Sequence, residues 1–356
     1  MATHSQIIGS GFVTGEHCIT NEKMCQMVDT SDAWIRERTG IEQRYMVEHG
    51  TTTTDLALRA SQKAIADAGI KQDDIDYVVF ATMTPDYYFP GCGGLLVRKL
   101  GLRRSVPALD IRQQCTGFLF GLQTCDALLK SGMAKTILLV GAEVHSVFFP
   151  WPRHQWEFLF GRSDVPPTKE EHEWSSQFRD RAVLFGDAAG AVILRSGTEE
   201  GRGIIDSKLF SDGDSFEDLY VPTGGAAQRP YMSHEALDAA QLIPVMNGKS
   251  VFRRAVTLMP QAIAAICDAN KLSLDDIALV LPHQANLRIN LMIQKVLGLP
   301  DDRIFNNIQR YGNTTAATLP IAYDECVKSG RIKQGDLVCF VGLGAGFHWG
   351  AVLYRQ

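Results

Sequence analysis

Cys115 stands where the sequence changes from a strand pattern to a helix pattern. Val106 to Ile111 is β-type and ends in a polar pair, Gln113 and Gln114. Thr116-Gly117 follow, and then Phe118, Leu119, Leu122, Ala127 and Leu128 at the spacing of a helix buried on most sides. The free N–H groups and the dipole of a helix start favour an anion, which would lower a thiol pKa there. A thiolate so placed is a nucleophile able to hold an acyl group. The alternative is a small buried cysteine that only fills space.

Three further stretches carry chemistry-bearing types. In Leu281-Pro-His283-Gln-Ala-Asn286-Leu-Arg288, Pro282 ends a buried run and throws His283 to its edge. That is the strand end at which α/β sheets place ligands. Tyr311-Gly312-Asn313-Thr314-Thr315 precedes a second helix, where Asn313 suits either a site or an N-cap. Gly342-Leu-Gly344-Ala345-Gly346 lies between two β-type runs, so it is a poor dinucleotide loop. It does suit backbone N–H groups approaching a reacting oxygen. A Cys, a His, two Asn and such a loop fit acyl transfer through a thioester. A hydrolase would want a water route.

The elements that must position these residues recur. Thr51 to Gly69 reads as a helix, followed by the turn Lys71–Asp74 and the strand Tyr77–Ala81. Ala255 to Asn270, Ser273–Asp276 and Ala278–Pro282 repeat that series. Asp73-Asp74-Ile75 matches Asp275-Asp276-Ile277, and Lys130-Ser-Gly132 matches Lys328-Ser-Gly330. The unit is far longer than a solenoid repeat, so it predicts a duplicated α/β domain with parallel strands, divided as residues 1–200 and 201–356. Laying Lys130 on Lys328 puts Cys115 on Asn313, each opening the helix of its half.

Bulk properties narrow the class. The 356 residues carry a net charge of −5 without a basic run, which argues against nucleic acid. No apolar run reaches membrane-spanning length, and the first residues lack the regions of a signal peptide, so a cytoplasmic protein is expected. The eight cysteines include no C-x-x-C pair, which argues against zinc and against a disulfide framework. Residues 148–180 fit no repeat. They hold Trp151, Trp156 and Trp174 with several Phe and Pro, and read either as a dimer-interface loop or as a lid over an apolar tunnel.

Taken together, these stretches resemble the β-ketoacyl-acyl-carrier-protein synthase III family of the thiolase superfamily. The resemblance runs almost end to end. It includes Asp32-Ala-Trp34-Ile-Arg-Glu-Arg38-Thr-Gly40, the Cys115 stretch, Leu184-Phe185-Gly186-Asp187-Ala-Ala-Gly190, the His283 and Asn313 stretches, and Gly344-Ala345-Gly346-Phe347-His-Trp349-Gly350. It implies a thiolase-like fold of two βαβαβαββ halves related by a pseudo-twofold axis, in five αβαβα layers. It implies an acyltransferase that joins an acyl-coenzyme A to malonyl-acyl-carrier protein by decarboxylative Claisen condensation, giving a 3-oxoacyl-carrier protein at the start of fatty-acid synthesis. By the same resemblance Cys115 carries the acyl group, and the N–H groups of Cys115 and Ala345 hold the oxyanion. His283 and Asn313 bind the malonyl thioester carbonyl. Trp34, Arg38, Phe185, Asn286, Gly344 and Gly346 contact substrate, Trp34 and Arg38 beside the coenzyme A adenine. Phe89 reaches into the partner subunit of a homodimer. Gln284, Ala285, Asn286, Leu287 and Arg288 meet the acyl carrier protein. No metal or cofactor is implied, coenzyme A and phosphopantetheine entering only as substrate carriers.

Three features depart from the family pattern: Leu343 before the glycine loop, the long aromatic stretch 148–180, and Arg112-Gln113-Gln114 before the nucleophile. They suggest an acyl chain other than acetyl, of medium or long length. They leave as alternatives a specialised ketosynthase or acyltransferase of secondary metabolism, and a partner subunit without catalysis.

Overall fold

The computed structural model describes residues 4–197, 199 and 201–356. The expected boundary at 200/201 falls on Glu200, outside the described residues. On either side of it stand two sheets of the same design. The first joins β1 (His4–Thr14), β2 (Tyr77–Ala81), β3 (Ala108–Ile111), β4 (Thr136–Glu143) and β5 (Ala188–Gly197) in the order β1-β5-β4-β2-β3. The second joins β6 (Gly203–Ser211), β7 (Leu279–Pro282), β8 (Leu337–Gly344) and β9 (His348–Arg355) in the order β6-β9-β8-β7. Beside β7, where β3 stands in the first sheet, Val280 and Ile304 make a single parallel bridge. In both sheets the first two neighbouring pairs are antiparallel and the next is parallel.

Strand alternation assigns the layers, because successive side chains point to opposite faces. Val78 and Phe80 of β2 face outward onto Leu56, Ala60 and Ala64 of the helix Thr53–Asp67. Val79 between them faces inward. In β8, Cys339 and Val341 face outward onto Met259 and Ile263 of the helix Gly248–Ala269, while Val338 and Phe340 face inward. The inward faces close on Phe118 and Leu122 of the helix Gly117–Lys130 and on Leu319 and Tyr323 of the helix Thr318–Lys328. Helices, sheet, helices, sheet, helices make the five layers. A sheet covered on both faces demands an unbroken apolar run, and all eight residues of β4 are buried.

The Asp-Asp-Ile repeat has a local cause. Asp74 accepts the backbone N–H of Lys71 at 2.8 Å, and Asp276 that of Ser273 at 2.7 Å, each closing a 3₁₀ turn ahead of the inner parallel strand. The register drawn from the repeat fails at the other end. Gln114 (φ 45°) and Thr315 (φ 49°) form matching left-handed elbows, each opening a 3₁₀ turn that leads into a central helix. The counterpart of Cys115 is therefore Ala316, not Asn313. The first central helix has 14 residues and the second 11, so a register anchored at the helix ends slips by three at their starts.

In the stretch 148–180, read either as a dimer-interface loop or as a lid, Phe149, Trp151 and Trp156 pack in a small core with Met24, Met27 and Val183, and Asp180 at its end lines the cavity between the halves. Trp151 Nε1 donates to Ser175 Oγ at 3.1 Å, which ties the two short helices Arg153–Leu159 and Lys169–Ser176 together.

Candidate functional site

One cavity of about 730 Å³ opens between the two halves, and Cys115, His283, Asn313 and Ala345 all line it. The elbow at Gln114 lifts Cys115 clear of the helix that follows. The glycine loop comes up against it: a Cβ on Gly344 would sit 3.1 Å from the Cys115 nitrogen. A side chain there would press equally on Gln113 O and Thr116 N, so glycine lets the Leu343–Ala345 backbone come up to the elbow.

His283 follows β7 and is held by its backbone N–H, which donates to Val341 O at 2.8 Å. Its Nδ1 lies 2.7 Å from Thr318 Oγ1, while Nε2 is buried with no partner among the described residues. Burial pushes the imidazole down to about 3, so the ring is neutral at physiological pH. Asn313 is clamped at both ends of its peptide unit, its N–H donating to Leu184 O at 2.9 Å and its O accepting from Gly186 N at 3.1 Å. The Thr315 N–H donates to Asn313 Oδ1 at 2.9 Å. That bond fixes the carboxamide, leaving the NH₂ end as the free donor. The Leu184–Gly190 stretch singled out in the sequence thus supports Asn313. Gly186 is required there, since a Cβ would come within 2.6 Å of Tyr311 O.

Cys115 contradicts one expectation. Burial, with the Glu143 carboxyl as a second cause, pushes its thiol up to about 12. The site without substrate therefore holds a neutral thiol, because desolvation of the anion outweighs the helix start. Glu143 is fully buried, and burial raises it to about 8, with Met83 N and Thr84 Oγ1 as hydrogen-bond donors at 2.9 Å.

The mouth is cationic. Trp34, Arg38, Lys249, Phe252, Asn286 and Arg288 line it. Asn286 caps the helix Leu287–Leu297 by accepting from the Arg288 N–H at 2.9 Å, and its amide donates to Arg38 O at 2.9 Å. Phe185 and Ala285 also line the cavity. Other expected residues stand apart from it. Gln284 is 1% exposed, and its side chain is saturated by Pro282 O, Phe305 O, Asn307 N and Ile308 N. It is a staple inside the fold and is out of reach of a carrier protein. Leu287 is half-buried on Gly40, and Gly346 packs on the His348 ring. Gly344 acts by letting the loop approach. Phe89 is 81% exposed on the surface of this chain.

Sequence reasoning missed Thr318, Lys249 and His145. Thr318 and Lys249 carry no local signal. His145 could have been found, because it lies two residues past the apolar run Ile137–Ala142 and the Glu143 carboxylate that ends it.

Comparison with known proteins agrees with the fold. Residues 109–163 and 172–213 match the family described as 3-oxoacyl-[acyl-carrier-protein (ACP)] synthase III, and residues 267–356 match its C-terminal counterpart. A β-ketoacyl-[acyl-carrier-protein] synthase III from Erythrobacter litoralis is 40% identical over 98% of both chains. The enzyme so named from Clostridium acetobutylicum is 37% identical over 98% of both. The crystal structure of the Pseudomonas aeruginosa synthase III superposes with a TM-score of 0.84 at 32% identity, covering 99% of this chain and 98% of that one. The duplicated sheets and the elbow cysteine define a condensing acyltransferase with the thiolase-like fold. Within that class, the chain belongs to the 3-oxoacyl-[acyl-carrier-protein] synthase III family.

Proposed function

We propose that this protein condenses an acyl-coenzyme A with malonyl-acyl-carrier protein through an acyl-cysteine on Cys115. The N-terminal half supplies the nucleophile, and the C-terminal half supplies His283 and Asn313. The observation that carries the reading is the convergence of these three side chains and Ala345 on one cavity whose rim bears Arg38, Lys249 and Arg288.

In the first step Cys115 Sγ attacks the thioester carbonyl and its proton passes to His283 Nε2. The N–H groups of Cys115 and Ala345 hold the oxyanion. The coenzyme A thiolate leaves and takes the proton back from His283. In the second step the malonyl thioester binds with its carbonyl oxygen on His283 Nε2–H and the Asn313 carboxamide. The bond to the carboxylate breaks and carbon dioxide departs, leaving an enolate held by the same two donors. The enolate carbon attacks the acyl-Cys115 carbonyl, the cysteine thiolate is expelled, and one proton taken up from solvent restores the thiol. As written, the reaction needs no metal or cofactor.

Arg288 and Lys249 suit the phosphates of coenzyme A and phosphopantetheine. Trp34 and Arg38 flank the adenine, and Phe185 forms part of the wall. Ala285 and Asn286 lie at the rim, with Leu287 next to them against Gly40, where an acidic carrier protein would dock. Tyr87, Tyr88 and Phe89 are 63%, 58% and 81% exposed, an apolar patch that a second copy of the chain would cover. These substrates suit a cytoplasmic protein; among the described residues no helix is long and apolar enough to cross a membrane.

Intact-mass measurement after incubation with acyl-coenzyme A tests the first step, and release of labelled carbon dioxide from malonyl-carrier protein tests the second. Asn313→Ala should still take up the acyl mass while losing condensation by about a hundredfold or more. Cys115→Ala should take up none. Acylation persisting in Cys115→Ala would refute the assignment.

A further inference from the structure

His145 lines the same cavity as Cys115, and the mechanism above gives it nothing to do. It is 1% exposed, and neither ring nitrogen has a hydrogen-bond partner among the described residues. The ring is held rigidly. Phe185 stacks on its face, centroids 3.6 Å apart and planes within 10°, and Phe148 meets it edge-on at 5.1 Å. Its backbone is pinned one residue on, where Asp187 accepts the Ser146 N–H at 2.9 Å and the Ser146 hydroxyl at 2.5 Å. The surrounding wall is otherwise largely apolar, formed by Met83, Val183, Leu184, Phe185 and Leu343.

A buried polar group without partners is unfavourable, and native interiors rarely keep one. A hydrocarbon chain lying against this ring would leave both nitrogens unmade. A neutral imidazole offers one N–H and one lone pair, whichever tautomer it adopts. A hydroxyl can answer either, and a ketone can answer the N–H. An acyl carboxylate suits the place poorly, because the Asp187 carboxyl already lies against Ser146, one residue on from the ring.

We propose that the acyl chain loaded onto Cys115 carries a neutral oxygen substituent, a hydroxyl or an oxo group, that hydrogen-bonds to His145. The inference rests on the acyl-cysteine reading above and names the substrate class of that same site. His145 is then a specificity-determining residue, and Phe185 holds its ring in place.

The test is a panel of acyl-coenzyme A esters of equal length, one plain and the others with a hydroxyl or oxo group walked along the chain. The readouts are kcat/KM for acylation and the intact mass of the acyl-enzyme. At one substituent position the wild-type protein should prefer the oxygenated chain by about tenfold to a hundredfold, the range expected when a buried polar group is left unpaired. His145→Leu should bring the two within about threefold by losing the oxygenated substrate while keeping the plain one. His145→Gln, which retains a donor and an acceptor, should recover part of the preference and guards against a variant that merely misfolds. A wild-type preference for the plain chain, or a preference unchanged in His145→Leu, overturns the proposal while leaving the acyl-cysteine reading intact. Failure of every ester to acylate Cys115 overturns both.

Discussion

His283 Nδ1 and Thr318 Oγ1 lie 2.7 Å apart, and the same hydroxyl is 3.0 Å from Thr315 O. A hydroxyl donates one proton and accepts others. When Thr318 donates to Thr315 O, it accepts from His283 Nδ1–H, and Nε2 carries the lone pair that can take the cysteine proton. When Thr318 donates to Nδ1 instead, Nε2–H is the donor that the enolate needs. One rotor thus supports both forms of the ring. Thr318→Val should slow condensation by about tenfold to a hundredfold and shift its pH profile, whereas Thr318→Ser should restore both. A purely structural role would lower the melting temperature equally in the two variants and leave the profile in place.

The buried thiol sets a second expectation. With Cys115 pushed up to about 12, little thiolate forms near neutrality without substrate. Iodoacetamide at pH 7.5 should label the exposed Cys18 before Cys115. The rate at Cys115 should climb through pH 9 without a plateau, although acyl-coenzyme A acylates it readily when His283 takes the proton. Peptide mapping of the alkylated protein checks this, and a plateau below pH 8 would contradict a neutral thiol.

The aromatic stretch makes a third. Trp151 is 7% exposed within the cluster of Met24, Met27 and Val183. Trp151→Ala should cost about 3–5 kcal/mol of stability, the usual range for emptying a buried aromatic site. Its acyl chain-length preference should stay as in the wild type, because the ring does not border the cavity. Denaturant unfolding together with an acyl-coenzyme A panel separates these outcomes.

How much of this could be read in advance depends on the range of each constraint. The duplication was legible because the Asp-Asp turns are local: each carboxylate bonds a backbone N–H three residues earlier, and that is written in consecutive letters. The cysteine elbow was legible as a strand meeting a helix. Its partner was misplaced because a three-residue difference in helix length leaves no mark on composition. In the Trp-rich stretch, density of aromatics reveals burial without revealing the partner. Gln284 sat within a recognisable motif, but three of its four side-chain bonds run to residues some twenty positions away. The Thr318 contact spans 35 positions and has no sequence signature.

The buried imidazole of His145 predicts an acid-dependent stability with a definite sign. Burial holds it down to about 3, against 6.5 for the exposed group. Between those values the unfolded chain binds a proton that the folded chain refuses, so this residue destabilises the fold as pH falls below 6.5. Glu143 and Asp187 act in the opposite direction, since burial raises them to about 8 and about 6 and the fold binds their protons first. As pH falls from 8 towards 6 the carboxyls stabilise the fold; lower down, the neutral histidines increasingly offset them. His145→Phe deletes one destabilising proton and leaves the carboxyls in place. Relative to wild type it should gain about 2 kcal/mol between pH 6.5 and pH 4.5, at about 1.4 kcal/mol per pH unit for one full proton. Urea unfolding of both proteins across that interval measures the difference. A constant offset between the two curves would mean that the ring already binds its proton in the folded state.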